Sequence, residues 1–164
     1  LQQKVHFMLI EADDAAFSVM VILEAPRGLR LAEKEWESVE ILTMLWRLAQ
    51  GIQAHFTPAA WMIVEDGELV GLLSLKNAPG TNRRVEIGYG VAPSRRGRGV
   101  ARRAIGEVLA WARGDARVAV VTADTGVDNI ASQRVLERNG FVRVGTRVDD
   151  EDGELICWEI SVEQ

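Results

Sequence analysis

From Val85 to Val91 the chain alternates. Val85, Ile87, Tyr89 and Val91 are apolar or aromatic, and Glu86, Gly88 and Gly90 stand between them. A period of two predicts a strand, with one apolar face and one face carrying a single carboxylate and two missing side chains. Glycine on that second face lets a ligand come close to the backbone. Pro93 ends the ladder, and Ser94-Arg95-Arg96-Gly97-Arg98-Gly99 reads as a turn. From Arg98 the period becomes helical, with Ala101, Ala104, Ile105, Val108 and Ala112 on one stripe and Arg102, Arg103 and Glu107 off it.

The same reading covers the rest of the chain. Asp13-Asp14 cap a short helix that ends near Pro26-Arg27-Gly28, and a second helix is predicted from Leu31 to Ala54 with Ile41, Leu45, Leu48 and Ile52 as its stripe. Trp61–Val64 and Leu69–Leu75 are predicted strands joined at Asp66-Gly67, a strong hairpin signal. After the arginine-flanked helix come a strand at Ala116–Thr122, a helix opened by Asp128 or Asn129 and stopped at Asn139-Gly140, and strands at Phe141–Val148 and Leu155–Ile160 around Asp152-Gly153. The order β-α-α-β-β-β-α-β-α-β-β predicts an α/β (α+β) fold. Its sheet is mixed, mostly antiparallel and of six or seven strands, with helices on both faces and one parallel pair where a helix crosses over.

The strand, turn and helix around Gly97 have a chemical consequence. The first turn of a helix offers backbone N–H groups without intrahelical acceptors and a positive dipole end, and glycines in the approach remove obstructing side chains. Arg95, Arg96 and Arg98 add full charges, which suits a diphosphate. A P-loop would need Gly-Lys, which is absent. A dinucleotide fingerprint would need a third glycine where Arg102 stands.

The segment Arg96-Gly97-Arg98-Gly99-Val100-Ala101 resembles the R/Q-x-x-G-x-G/A pyrophosphate loop of the GNAT superfamily of acyl-CoA-dependent N-acyltransferases. The stretch from Asn129 through Ser132 and Leu136 to Asn139-Gly140-Phe141 resembles that family's N-x-x-S-x-x-(V/L)-(L/Y)-E-(K/R)-x-G-F helix. The Ser132 form looks most like the ribosomal-protein N-terminal alanine acetyltransferase branch. The resemblance implies a single N-acetyltransferase domain over residues 1–164, with acetyl-CoA as cosubstrate and the pantetheine arm between two splayed strands. Val91, Arg96, Gly97, Arg98, Gly99, Val100, Ala101, Asn129 and Ser132 would hold the cofactor.

Composition limits the alternatives. The chain has 164 residues, 48% of them hydrophobic and 26% charged, which suits one core. A net charge of −5 argues against nucleic acid or an anionic membrane as the main partner. Against that background the arginines at 83, 84, 95, 96, 98, 102 and 103 form a local basic island, with no aromatic residues interleaved in the loop itself. No run of about 18 apolar residues and no secretory leader pattern is present, so a cytoplasmic setting is expected. The single cysteine excludes an internal disulfide. The chain opens on Leu1 and not on a methionine, which leaves its native start open.

An amine attacking a thioester must be neutral, and an α-amino group near pKa ~8 or a lysine near ~10.4 is largely protonated at neutral pH. Glu86, on the glycine-cleared strand face, is the candidate base; the alternative is an ion pair with Arg84 or another arginine of the island. Backbone N–H groups near Tyr89–Val91 can hold the oxyanion. Relatives with this motif often carry a proton-donating tyrosine where Leu136 stands, so Ser132, or second Tyr89, is the candidate acid. The alternative for Ser132 is a hydroxyl that bonds only the helix backbone or the cofactor.

Cys157 reads as a small buried hydrophobe, and His6 and His55 stand without ligand spacing, so no metal is expected. Asp149–Asp152 reads as a solvated hairpin tip, and Leu155–Ile160 as an exposed strand able to pair in a homodimer. Together these expectations describe acetyl transfer to a primary amine, on a protein N-terminus or a small molecule. A non-catalytic acyl-CoA-binding module of the same fold is the alternative.

Overall fold

The computed structural model describes residues 6–163. They divide into two compact units, one of residues up to Ala78 together with Tyr89–Val100, the other of Pro79–Gly88 together with residues from Ala101 onward. Eight strands and four α-helices make up the described chain, with mostly antiparallel pairing.

In the first unit β1 (Phe7–Glu11) pairs antiparallel with β3 (Ala60–Glu65), and β3 with β4 (Glu68–Leu75) across Asp66-Gly67. Both β3 and β4 are buried almost throughout, which explains their unbroken apolar runs. Helix α1 (Asp14–Met20) starts where Asp13 Oδ1 accepts from Ala16 N–H at 2.9 Å. Its Phe17 and Met20 are fully buried. Helix α2 (Val39–Gln53) starts where Ser38 Oγ accepts from Ile41 N–H, and Trp46 Nε1 on α2 donates to Asp14 at 2.9 Å.

The predicted helix from Leu31 is shorter than expected for a tertiary reason. Arg30 and Leu31 form β2, parallel to Glu68 and Leu69 of β4, with Ala32 N–H donating to Leu69 O at 3.1 Å. This two-residue strand is the one beyond the six or seven expected. Helix begins only after Ser38 supplies a cap. The buried stripe is also turned by one position: Leu42, Ala49 and Ile52 are buried, and Ile41 is 42% exposed.

In the second unit the first part of β5 (Arg84–Val91) pairs in parallel with β6 (Val120–Gly126) over three residue pairs, ending at Glu86 and Thr122. The crossover between these strands is α3 (Val100–Arg113), whose Ala104, Ile105, Val108, Leu109 and Ala112 are buried. β6 pairs antiparallel with β8 (Gly153–Ser161), and β8 with β7 (Val142–Asp149); α4 (Ile130–Arg138) joins β6 to β7.

Two expectations are corrected in this unit. The strand expected at Ala116–Thr122 lies four residues later, because Asp115 Oδ1 takes the Arg117 N–H at 2.9 Å and folds 115–118 into a turn. Leu155–Ile160 is not an exposed edge: β8 is hydrogen-bonded on both sides and Leu155, Ile156 and Trp158 are buried. Among the described residues β7 ends the strand order beyond β8, and it is exposed along nearly its whole length. No helix among the described residues is long and apolar enough to cross a membrane.

β4 and the last residues of β5 approach closely within the first unit. A β-carbon on Gly71 would collide with the Gly90 carbonyl oxygen and lie 3.2 Å from Val91 Cα, both backbone atoms. Gly71→Ala is therefore expected to lower stability by about 1–3 kcal/mol in urea or thermal unfolding. Gly51→Ala, on an exposed face of α2 with nothing within 4 Å, is expected to raise it by about 0.5–1 kcal/mol. Equal effects at the two positions would contradict the packing described.

Candidate active site

The arginine-glycine turn belongs to the first unit and is anchored residue by residue. Ala92 N–H donates to Val70 O at 2.7 Å, and Pro93–Arg95 form a 3-10 turn. Arg95 reaches both carboxylate oxygens of Glu68 on β4 at 3.2 to 3.3 Å. Ser94 N–H donates to Glu33 Oε1 at 2.9 Å, and Arg96 Nε to Val91 O at 3.2 Å. Beyond these anchors the chain opens outward: Gly97 and Gly99 have φ of 75° and 78°, and a β-carbon on either would touch nothing within 4 Å. A side-chain-bearing residue at either position would be strained. The N–H groups of Gly97, Arg98 and Gly99 donate to no acceptor among the described residues. Val100, 2% exposed, pins the first helical residue behind them.

The expected electrostatics need one correction. Arg95 was expected to charge the anion seat, but its guanidinium is committed to Glu68. Arg83 pairs with Glu163, and Arg84 with Glu159 at 2.6 Å. Arg96 and Arg98 are exposed and make no ion pair among the described residues. Glu33 on the opposite side of the turn is held below the usual carboxylate range by its hydrogen bonds with the Ser94 backbone and side chain, with Arg95 and Arg96 adding to this. A depressed folded-state pKa means that the Glu33–Ser94 tie contributes fully at neutral pH and is lost only as pH falls through that value.

In the second unit Asn129 caps α4, its Oδ1 accepting from Ser132 N–H at 3.2 Å. Ser132 is half-buried, and its hydroxyl makes no hydrogen bond among the described residues. Leu136 is fully buried, so the face expected to carry Asn129, Ser132 and Leu136 runs from solvent into the core. Two residues that the sequence reading passed over hold this helix. Gln133, 5% exposed, donates to Gly126 O and Val127 O at 3.1 and 3.0 Å and accepts from Arg143, whose guanidinium lies 5.1 Å from the Trp158 ring centre. Asn139, read only as a helix stop, donates to Arg102 O on α3 at 3.2 Å and to Val135 O at 3.0 Å. A groove of about 650 Å³ is lined by Gly126 to Asn129 and Asp152 to Glu154.

Glu86 lies half-buried on β5. Its charge acts on Arg147, a residue outside the arginine island, and on Cys157. Arg147 in turn holds Asp124 Oδ2 at 2.5 Å and 2.9 Å, and Asp124 faces Cys157 across the β6–β8 register. The first unit thus brings together Tyr89, Val91 and Arg96–Val100, and the second holds Glu86, Ala101, Asn129 and Ser132. The hydroxyl oxygen of Tyr89 is buried. No group of three or more His, Cys, Asp or Glu among the described residues is arranged to hold a metal.

Comparison with known proteins bears directly on this arrangement. The profile of a family described as "Acetyltransferase (GNAT) domain" matches residues 9–142. The chain belongs to the GNAT acetyltransferase family. Within this family it is 33% identical over 87 residues to the putative ribosomal N-acetyltransferase YdaF of Bacillus subtilis, a match covering 53% of this chain and 48% of that protein. The chain therefore spans about half the length of the curated relatives it matches.

Among solved structures, RimL, a ribosomal L7/L12 alpha-N-protein acetyltransferase in complex with coenzyme A, superposes with a TM-score of 0.71 at 22% identity, covering 94% of this chain and 93% of that one. A chimera of the spermidine N-acetyltransferase SpeG from Vibrio cholerae and hSSAT superposes with a TM-score of 0.69 at 19% identity, covering 98% and 96%. At these identities the likeness establishes the GNAT fold, with its mixed, mostly antiparallel sheet.

The sulfur beside Glu86 gives a test of the second unit's electrostatics. Burial pushes the Cys157 thiol above its ordinary pKa, and the Asp124 hydrogen bond and charge push it further against the opposing pull of Arg147. Cys157 is therefore expected to alkylate with iodoacetamide at pH 8 roughly tenfold more slowly than an exposed peptide cysteine, and Asp124→Asn to speed the reaction. Because the chain has one cysteine, the signal is unambiguous. A rate equal to that of the free peptide would refute the placement.

Proposed function

We propose that this GNAT-family protein is an N-acetyltransferase that moves an acetyl group from acetyl-CoA to a primary amine by direct attack. The observation carrying this reading is the turn at Gly97 to Gly99, where consecutive N–H groups face no internal acceptor and two left-handed glycines keep side chains out of their way. Arg96 to Ala101 would bind the pyrophosphate, Val91 the pantetheine amide through its backbone, and Asn129 and Ser132 the part of the cosubstrate nearer α4. Fold relatives solved with coenzyme A or acetyl-CoA support an acyl-CoA cosubstrate. The family match crosses both units, in keeping with one catalytic domain.

The reaction needs one proton removed and one delivered. As the amine nitrogen bonds the acetyl carbon, the C–S bond breaks and the thiolate leaves; the nitrogen loses a proton and the thiolate gains one. Glu86 is the proposed proton acceptor, directly or through water, because it lies half-buried on the β5 face that Gly88 and Gly90 leave clear. Ser132 is the proposed donor to sulfur, because its hydroxyl is not spent on the α4 backbone, and Tyr89 is the second candidate. The acceptor is proposed to be an amine on a protein N-terminus or a small molecule, following the ribosomal-protein and spermidine acetyltransferases that the chain is similar to.

One observation favours a second reading, a module that binds acyl-CoA without turning it over. The position where many relatives carry a tyrosine is Leu136, which is fully buried and cannot donate. Thiol release from acetyl-CoA with a panel of peptides and polyamines separates the two readings. Turnover is expected; tight coenzyme A binding with no release for any amine would favour the binder.

In the same assay Gly99→Val is expected to raise the acetyl-CoA KM by about tenfold or more, through backbone strain and obstruction of the N–H groups. Ser132→Ala is expected to lower kcat by about 10- to 100-fold, and Glu86→Gln to lower it most at low pH, the latter at unchanged acetyl-CoA KM. Unaltered kcat in either variant would remove that residue from the mechanism.

A further inference from the structure

Between β2 and α2 the chain runs from Ala32 to Ser38 without helix or strand. Ala32 N–H reaches Leu69 O on β4 and Ser38 caps α2, but none of the N–H groups of residues 33 to 37 donates to a backbone carbonyl among the described residues. A segment with so few backbone ties depends on its side chains for order. Trp36, 3% exposed, is one such hold. Glu33 is another. Its Oε1 accepts from Ser94 N–H at 2.9 Å, across 61 positions of the chain, and the Ser94 side chain adds a second hydrogen bond.

Ser94 has a particular place. It is the middle residue of the Pro93–Arg95 turn, whose Arg95 is clamped to Glu68, and the segment proposed to hold the pyrophosphate begins at Arg96. The Glu33 bond therefore fixes the chain two positions ahead of that segment, from a part of the sequence that none of its motifs includes.

The charge at position 33 makes the arrangement informative. A carboxylate near a seat for pyrophosphate repels the anion, and Glu33 lies close enough to Arg95 and Arg96 to feel both of their charges. If charge alone mattered there, glutamate would be the wrong residue. What it supplies is an acceptor oxygen on a side chain long enough to reach the Ser94 N–H.

We infer that Glu33 is a positioning residue for the coenzyme: through Ser94 it sets the amides of Gly97 to Gly99, and by the same bond it couples coenzyme binding at the turn to the order of residues 33 to 38. Coupling of this kind is reciprocal. Coenzyme that steadies the turn steadies the segment, and release of the segment loosens the turn. The inference rests on the acyl-CoA reading of the turn and adds to it a residue that touches no part of the ligand.

Calorimetric titration of coenzyme A into wild type and three variants tests this. Glu33→Gln keeps the oxygen and removes the charge, and is expected to bind as tightly as wild type or up to about threefold tighter. Glu33→Ala removes the acceptor and is expected to bind about threefold to tenfold more weakly. Glu33→Asp keeps the charge but draws the oxygen back by one methylene, and is expected to be at least as weak as Glu33→Ala. A purely electrostatic role predicts the reverse order, with Ala and Gln both tighter than wild type and Asp equal to it. A role in folding alone predicts lower thermal midpoints at unchanged affinity. Hydrogen exchange read by mass spectrometry supplies the reciprocal half. Saturating coenzyme A is expected to slow exchange in residues 33 to 38 by about threefold or more in wild type and Glu33→Gln, and to have little effect there in Glu33→Ala.

A loss of coenzyme A affinity smaller than about threefold in Glu33→Ala would overturn the inference, as would exchange in residues 33 to 38 that does not respond to the coenzyme in wild type. If Glu33→Ala does not fold, Glu33→Asp against Glu33→Gln carries the same comparison. These results overturn the inference alone and leave acyl-CoA binding standing. Failure of wild type to bind coenzyme A would overturn both.

Discussion

Backbone amide hydrogens with nowhere to go inside the protein are the constraint from which the rest follows. A buried chain cannot tolerate unpaired donors, so a run of them at Gly97, Arg98 and Gly99 has to sit at the surface and be held there by something else. The holding is done on every side of the turn. Arg95 is clamped to Glu68, Ser94 to Glu33, Arg96 to the Val91 carbonyl, and Val100 is sunk into the core. The Glu68 clamp takes the Arg95 side chain away from the turn, and the anchors together leave the backbone of Gly97 to Gly99 facing outward. The left-handed glycines are what allow the chain to make this turn without a side chain in the way.

The same economy governs the charges. The arginine island looks in sequence like one large positive patch, but in the structure Arg83, Arg84 and Arg95 are neutralised by Glu163, Glu159 and Glu68. Arg96 and Arg98 are left to face solvent at the turn. In a chain of net charge −5, two exposed arginines beside open amides are a local concentration of positive charge and not a general polyanion surface. The carboxylates are divided similarly: Glu33 is tied to Ser94, Glu86 acts on Arg147, and Glu37 Oε2 lies 3.4 Å from where a β-carbon on Gly90 would stand.

What the sequence made legible was local. The Asp66-Gly67 hairpin, the alternation along β5, the glycine turn and the Asn129 cap all depend on residues within a few positions of one another, and all appear where expected. What it concealed was decided by distant partners. Leu31 becomes a strand because β4 is there to pair with, and Leu155–Ile160 is interior because β7 and β6 flank it. The strand after Arg117 starts later than its apolar run suggests, because the Asp115 turn takes up residues 115–118. Arg95 looked like a ligand for phosphate because Glu68 lies 27 positions away. Gln133 and Asn139 gave a signal only as polar residues in or just after a short helix; their acceptors on β6 and α3 were invisible without the fold.

The most direct measurement of the central claim is a crystal structure of the protein with coenzyme A. It is expected to show pyrophosphate oxygens within about 3 Å of the amide nitrogens between Gly97 and Ala101, with Arg96 or Arg98 alongside. Well-defined coenzyme A bound elsewhere, with those amides facing water, would contradict the account.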